Sequence, residues 1–150
     1  MMAAEPIFVD TNVLLSASAP ARELHQQAFR VLSEWPDEGV SICTSGQVLR
    51  EYLVVATRSY ELNGLGFSLS EALTNRDRLE ARMRFLDETR AVAIRLRELA
   101  ESASCVGKQI HDANLVATAL AHRVERILTD NMTHFARFAD VVEIVDLRTV

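Results

Sequence analysis

Four carboxylates stand where an acid is either conspicuous or costly: Asp10, Glu51, Asp112 and Asp130. Asp10 directly follows the apolar run Ile7-Phe8-Val9, and Asp130 follows Ile127-Leu128-Thr129. Ligands of open α/β sheets bind at the carboxyl ends of strands, so acids at two such ends can face one crevice. The other two interrupt apolar helical stripes, Glu51 beside Val48, Tyr52 and Val55, and Asp112 beside Leu115, Val116 and Ala119. A carboxylate on an apolar face costs free energy unless it is paired, hydrogen-bonded or bound to a cation. Each acid also has a purely structural explanation. Asp10 and Asp130 could cap helices, Asp112 could sit favourably in a first helical turn, and Glu51 could pair a buried arginine. Taken singly, capping is the simpler account of Asp10 and Asp130. The four together point to chemistry.

That chemistry is the holding of a hard divalent cation, Mg²⁺ or Mn²⁺. Such ions want oxygen ligands, and Mg²⁺ takes one or two carboxylates while keeping several waters. A cleft with three or four acids can hold one ion, or two about 4 Å apart, and so activate water toward phosphorus and offset charge on a leaving oxygen. No covalent protein intermediate is required, so the lack of a Ser-His-Asp pattern is no obstacle.

The elements that must position these acids alternate short apolar runs with longer helical ones. This pattern predicts a single α/β domain over residues 1–150, with a mainly parallel sheet of about five short strands flanked by helices. Strands are expected at 6–9, 40–44, 84–87, 126–129 and 141–145. Helices are expected at 11–19, 22–35, from Ser45 as N-cap, from the capping signature Ser68-Leu69-Ser70-Glu71, and at 89–103, 109–122 and 132–138.

Composition bounds the partners. An apolar share of 49 % suffices for one core, and a charged share of 25 % is ordinary for a globular chain. Cys43 and Cys105 form no CxxC pair, which removes the basis for a zinc site or disulfide framework. No apolar run approaches the ~20 residues of a membrane helix, and no leader pattern opens the chain, so a cytoplasmic location is expected. The net charge of −5 is unusual for a nucleic-acid binder, but converging acids neutralised by a divalent ion bind phosphate rather than repel it. Every basic residue except Lys108 is arginine, the side chain suited to bidentate phosphate contacts.

The residues around the acids resemble a known family. Val9-Asp10-Thr11-Asn12-Val13-Leu14-Leu15 looks like the first motif of PIN domains, and Glu51 within Gln47-Val48-Leu49-Arg50-Glu51 resembles the second. His111-Asp112-Ala113-Asn114-Leu115-Val116-Ala117 resembles the third, and Leu128-Thr129-Asp130-Asn131 followed by Phe135 and Phe138 the fourth. Order and spacing match over nearly the whole chain, and the size is similar to that of VapC-type toxins of toxin–antitoxin pairs. The resemblance implies a metal-dependent endoribonuclease that forms a homodimer and is silenced by a cognate antitoxin. Carried over, Asp10, Glu51, Asp112 and Asp130 are the catalytic, metal-binding acids. Thr11 and Asn12 shape the first turn, and Asn114 supports the third acid. His134 stands where relatives often carry a further acid, which bears on a second metal position.

Arg50 and Arg58, flanking the helix of Glu51, are the phosphate-binding candidates, with His134 as a third substrate contact. The arginines from Arg76 to Arg97 are interleaved with acids, as on solvated helix faces. An aspartyl-nucleophile phosphatase would use Asp10, Thr44, Lys108 and Asp130 in order, but that fold wants an acid where Asn12 stands, and Glu51 would have no task. An HD-type phosphohydrolase would use His25, His111-Asp112 and Asp130, but that fold is all-helical. A PIN-like scaffold without catalysis fits poorly with four intact acids, and a housekeeping RNA-processing nuclease is the alternative to a toxin.

Overall fold

Ile7, Phe8 and Val9 have no exposed surface, the mark of a strand covered on both faces, and they form β1 (Ile7–Val9) at the centre of the sheet. The computed structural model describes residues 4–150. Among them β2 (Ile42–Ser45), β3 (Arg84–Leu86), β4 (Arg126–Thr129) and β5 (Glu143–Asp146) join β1 in the order β3-β2-β1-β4-β5. Every pairing is parallel, with Phe8 beside Cys43 on one side and Ile127 on the other. The α/β expectation is met. The chain builds outward from β1 through β2 to β3, then returns to the other side of β1 as β4. The switch point therefore lies between β1 and β4, and Asp10 and Asp130 are the residues that follow those two strands.

Among the described residues, seven α-helices cover the sheet: α1 (Thr11–Ser18), α2 (His25–Glu34), α3 (Gly46–Thr57), α4 (Leu69–Glu80), α5 (Arg90–Ser102), α6 (Gln109–Ala121) and α7 (Met132–Phe135). Among the described residues no helix is long and apolar enough to cross a membrane. Local chemistry sets several of their starts. Ser45 Oγ accepts the Val48 N–H at 3.4 Å to open α3. Ser68 and Glu71 exchange two hydrogen bonds, 3.1 and 3.2 Å, in the capping box that opens α4. The last strand begins later than the expected 141–145, because the N–H groups of Val141 and Val142 both close back on the Phe138 carbonyl. Pairing resumes only when Glu143 donates to the Glu125 carbonyl at 2.8 Å.

The core is filled by Phe8, Tyr52, Phe135 and Phe138 with aliphatic side chains from every layer. The buried Tyr52 carries its hydroxyl to the Ser18 Oγ at 3.1 Å, and the Asn75 carboxamide donates to both oxygens. That satisfied trio ties α4 to α1 and α3, leaving no buried polar group of Tyr52 without a partner.

After α3 the chain doubles back tightly. Gly64 packs against the Arg58 carbonyl so closely that an added Cβ would overlap it. Gly64→Ala should therefore lower the unfolding free energy by about 3 kcal/mol, the cost of overpacking against rigid backbone. Gly46→Ala is the contrast, since its methyl would meet only the Phe85 ring at 3.7 Å, and helix propensity should make it neutral or slightly stabilising. Urea denaturation of both variants checks the pair, and equal stability would contradict this packing.

Candidate active site

Asp10 is placed by the sheet and aimed by the helix that follows it. Its N–H continues the ladder to the Leu128 carbonyl at 2.9 Å, and its backbone then turns to become the N-cap of α1. Asp10 Oδ1 accepts the Thr11 N–H at 2.7 Å, and Oδ2 accepts the Thr129 hydroxyl at 2.9 Å. The capping role weighed from the sequence is thus real, and it coexists with a position at the switch point. The residue is only 8 % exposed. Burial pushes its pKa up to about 7; the bonds from Thr129 and Thr11 pull it back, and the charges of Asp130 and Asp112 add to the rise.

Glu51 reaches the same cleft from α3. Its Oε2 accepts the Thr11 hydroxyl at 2.9 Å, and its Oε1 accepts from the Gln47 carboxamide at 2.9 Å. Thr11 therefore bridges the first two acids, donating its N–H to Asp10 and its hydroxyl to Glu51. Asp112, in the first turn of α6, is half-buried. Desolvation raises its pKa and Glu51 raises it further, against the lowering effect of His134, His111 and Arg137. Like charges held near one another in this way favour the entry of a cation.

One cleft is lined by Asp10, Glu51 and Asp112 with Thr11 and Asn12, and its walls carry Arg50, Arg58, Lys108, His111 and His134. Asp130 instead lines an adjoining groove with Asp146 and Arg148, and Asn12 and Asn131 line both. Asp130 Oδ1 is buried without a hydrogen-bond partner, while Arg148 donates to the Asp130 carbonyl at 2.6 Å. Asn114 donates to Gln47 at 2.6 Å and to Glu88 at 3.2 Å, so it acts on the surroundings of Glu51.

The donor set fits a hard cation. It is made of carboxylates, two with pKa values raised by burial and, to a smaller extent, by neighbouring acids, and one with an orphaned oxygen. Among the described residues no three acid, imidazole or thiol side chains already stand in a complete ligand set. Mg²⁺ does not need one, since one or two carboxylates and water satisfy it.

Other side chains weighed from the sequence lie elsewhere. Thr44 is sealed in β2 with no exposed surface, which removes it from any phosphatase role. His25 is engaged with the Ser16 carbonyl at 2.8 Å and the Phe29 ring. Sequence reasoning gave no role to Gln47, Thr129 or Arg148. The signal for Gln47 was available: a carboxamide four residues before Glu51, on the inward side of the same helix. No comparable sequence signal marks the contacts of Thr129 with Asp10 or of Arg148 with the Asp130 carbonyl, because strand pairing is what brings these residues together.

The PIN domain family model matches residues 7–141. Among solved structures, VapBC2 from Rickettsia felis, bound to a DNA fragment from its promoter, superposes with a TM-score of 0.69 at 17 % identity, covering 94 % of this chain and 99 % of that one. A toxin–antitoxin complex from Klebsiella pneumoniae superposes at 0.66 with 23 % identity, covering 94 % and 97 %. VapC20 from Mycobacterium tuberculosis, a toxin that cleaves the sarcin–ricin loop, superposes at 0.60 with 20 % identity, covering 81 % and 86 %. Among curated proteins, none matches the sequence.

Proposed function

The chain belongs to the PIN domain family, and from that premise we propose that it is a Mg²⁺- or Mn²⁺-dependent endoribonuclease, the toxin of a toxin–antitoxin pair. The observation that carries this reading is the meeting of Asp10, Glu51 and Asp112 in one cleft beside the sheet's switch point, with Arg50, Arg58 and Lys108 on its walls. The VapC20 toxin and the toxin–antitoxin complexes that share the fold support the cellular role and a protein antitoxin. In this reading the protein is a homodimer, and the antitoxin docks near the cleft, where a basic side chain could reach the acids. A housekeeping RNA-processing role uses the same site.

Asp10, Glu51 and Asp112 would hold the ion, and Asp130 would join them from the adjoining groove. When bound, the ion supplies an activated water and charge compensation for the phosphate. The protein's own part is positioning and electrostatics. Thr11 holds one oxygen of the Asp10 carboxylate and one of the Glu51 carboxylate. Arg50, Arg58 and Lys108 offset the charge of the strand being bound, and Arg50 and Arg58 can grip phosphates in bidentate fashion.

One observation favours a second mechanism on the same RNA. His111 and His134, 23 residues apart in the chain, both line the cleft. Two imidazoles can act as base and acid on a 2′-hydroxyl without metal, and that route leaves a cyclic phosphate. Incubation of the purified protein with single-stranded or looped RNA separates the two. The expected result is cleavage that chelator abolishes and Mg²⁺ or Mn²⁺ restores, with 5′-phosphate and 3′-hydroxyl ends. Cleavage that persists in chelator and leaves 2′,3′-cyclic phosphate would overturn the metal mechanism.

A further inference from the structure

Gln47 is 1 % exposed in the first turn of α3, and a buried carboxamide is costly unless its atoms are bonded. Its two side-chain N–H bonds go to Glu51 Oε1 at 2.9 Å and to the His111 carbonyl at 3.0 Å. Its Oε1 accepts from Asn114 Nδ2 at 2.6 Å. Its backbone N–H donates to Glu88 Oε1 at 3.2 Å, and the other Glu88 oxygen accepts from Asn114 at 3.2 Å. The carboxamide has only one workable orientation. Turned over, its oxygen would face a carboxylate and a carbonyl, three acceptors with no hydrogen among them.

Satisfying a buried amide needs partners, but it does not need these. One donor holds an acid of the cleft, and the other holds the carbonyl of the residue immediately before another of them, Asp112. The two acids come from α3 and α6, and Gln47 spans the gap with a single planar group. With Thr11 on Glu51 Oε2 and Gln47 on Oε1, both oxygens of that carboxylate are oriented. Groups that orient a ligand in this way commonly affect metal affinity or activity by 10–100-fold when removed.

We infer that Gln47 is a positioning residue for the active site: it sets the direction of the Glu51 carboxylate and its separation from Asp112, and thereby the affinity of the cleft for a divalent ion. This rests on the reading of the cleft as a metal-dependent nuclease site, and it adds a residue through which that site is tuned. Gln47 touches neither RNA nor the reacting atoms. Its loss should weaken metal binding and turnover while leaving RNA binding alone.

Gln47→Met is the informative variant, because it keeps length and apolar packing while deleting every side-chain hydrogen bond. The full-length protein and the variant are titrated with Mn²⁺ by calorimetry, and RNA cleavage is followed across Mg²⁺ concentrations. Gln47→Met should bind Mn²⁺ about tenfold more weakly and need about tenfold more Mg²⁺ for half-maximal cleavage. Its kcat should fall by about 10–100-fold with KM for RNA unchanged. Asn114→Ala leaves the Gln47 donors in place but frees its oxygen, so it should shift Mn²⁺ affinity in the same direction by a smaller step, about threefold, below the full loss expected of Gln47→Met. It serves as the reading if Gln47→Met does not fold. A parent that binds Mn²⁺ and cleaves, with variants that do so equally well, overturns the positioning role and leaves the nuclease reading standing. So does a raised KM for RNA with unchanged metal affinity. A parent that neither binds Mn²⁺ nor cleaves RNA overturns the nuclease reading, and the role of Gln47 goes with it.

Discussion

Asp10→Asn is expected to slow RNA cleavage about a thousandfold or more, equivalent to about 4 kcal/mol of barrier, with the fold intact. The substitution removes a full negative charge from the switch point and weakens a ligand for a hard cation. Folding should survive because the retained oxygen can still accept the Thr11 N–H at the head of α1. The Thr129 hydroxyl can turn to accept the new amide. Single-turnover cleavage at saturating Mg²⁺, with circular dichroism of the same sample, measures both halves. A folded variant that cleaves within tenfold of the parent would remove Asp10 from the catalytic set.

The same variant carries a pH signature. Burial raises the Asp10 pKa to about 7 from an ordinary 3.8, so the folded protein holds this proton more tightly than the unfolded chain does. The stabilisation conferred by that proton is complete below about pH 4 and is lost as pH rises through 7. In chelator at pH 8 the parent must bury a charged carboxylate, and Asn avoids that cost. Asp10→Asn should therefore melt at or above the parent at pH 8, and the advantage should shrink steadily toward pH 4. Melting curves across that range check the sign, and an advantage that grows on acidification would contradict the burial argument.

Asp112→Asn should abolish most of the stabilisation that divalent metal confers. At a metal concentration about a hundred times the dissociation constant, binding to the folded state contributes about 2.7 kcal/mol, or roughly 5–10 °C in melting temperature for a domain of this size. In the metal-free protein, burial and Glu51 both work against the Asp112 charge, so neutralising it relieves repulsion. The variant should thus start from an equal or higher melting temperature and gain little from Mg²⁺ or Mn²⁺. Thermal melts of parent and variant, each with chelator and with saturating metal, give the comparison. A variant stabilised by metal as strongly as the parent would remove Asp112 from the ion's ligands.

Most of the architecture was legible because it rests on local patterns. Runs such as Ile127-Leu128 announce strands by being apolar on both faces, and Ser68 with Glu71 announces a helix start by a bond that spans three residues. At the last strand, a local turn and a distant partner together decided the outcome. Val141 and Val142 have strand-forming side chains, yet their N–H groups are taken by Phe138, and β5 begins only where Glu125 offers a partner. β propensity describes a fit to neighbours, and the neighbours here lie outside any local window.

What the sequence by itself determined was an α/β chain with acids at the ends of two strands and on the inward sides of two helices. These follow from hydrophobic periodicity and from the cost of a carboxylate on an apolar face, and both are local quantities. Only the tertiary structure decided how the acids share the space. It put Asp10, Glu51 and Asp112 in one cleft and Asp130 in the next groove, brought His111 and His134 to that same cleft, and made Thr11, Gln47 and Thr129 the bonds that aim the carboxylates. The physical reason is distance along the chain. Thr129 meets Asp10 across 119 residues and Gln47 meets His111 across 64, and such contacts arise from strand order and helix packing, which no local pattern encodes.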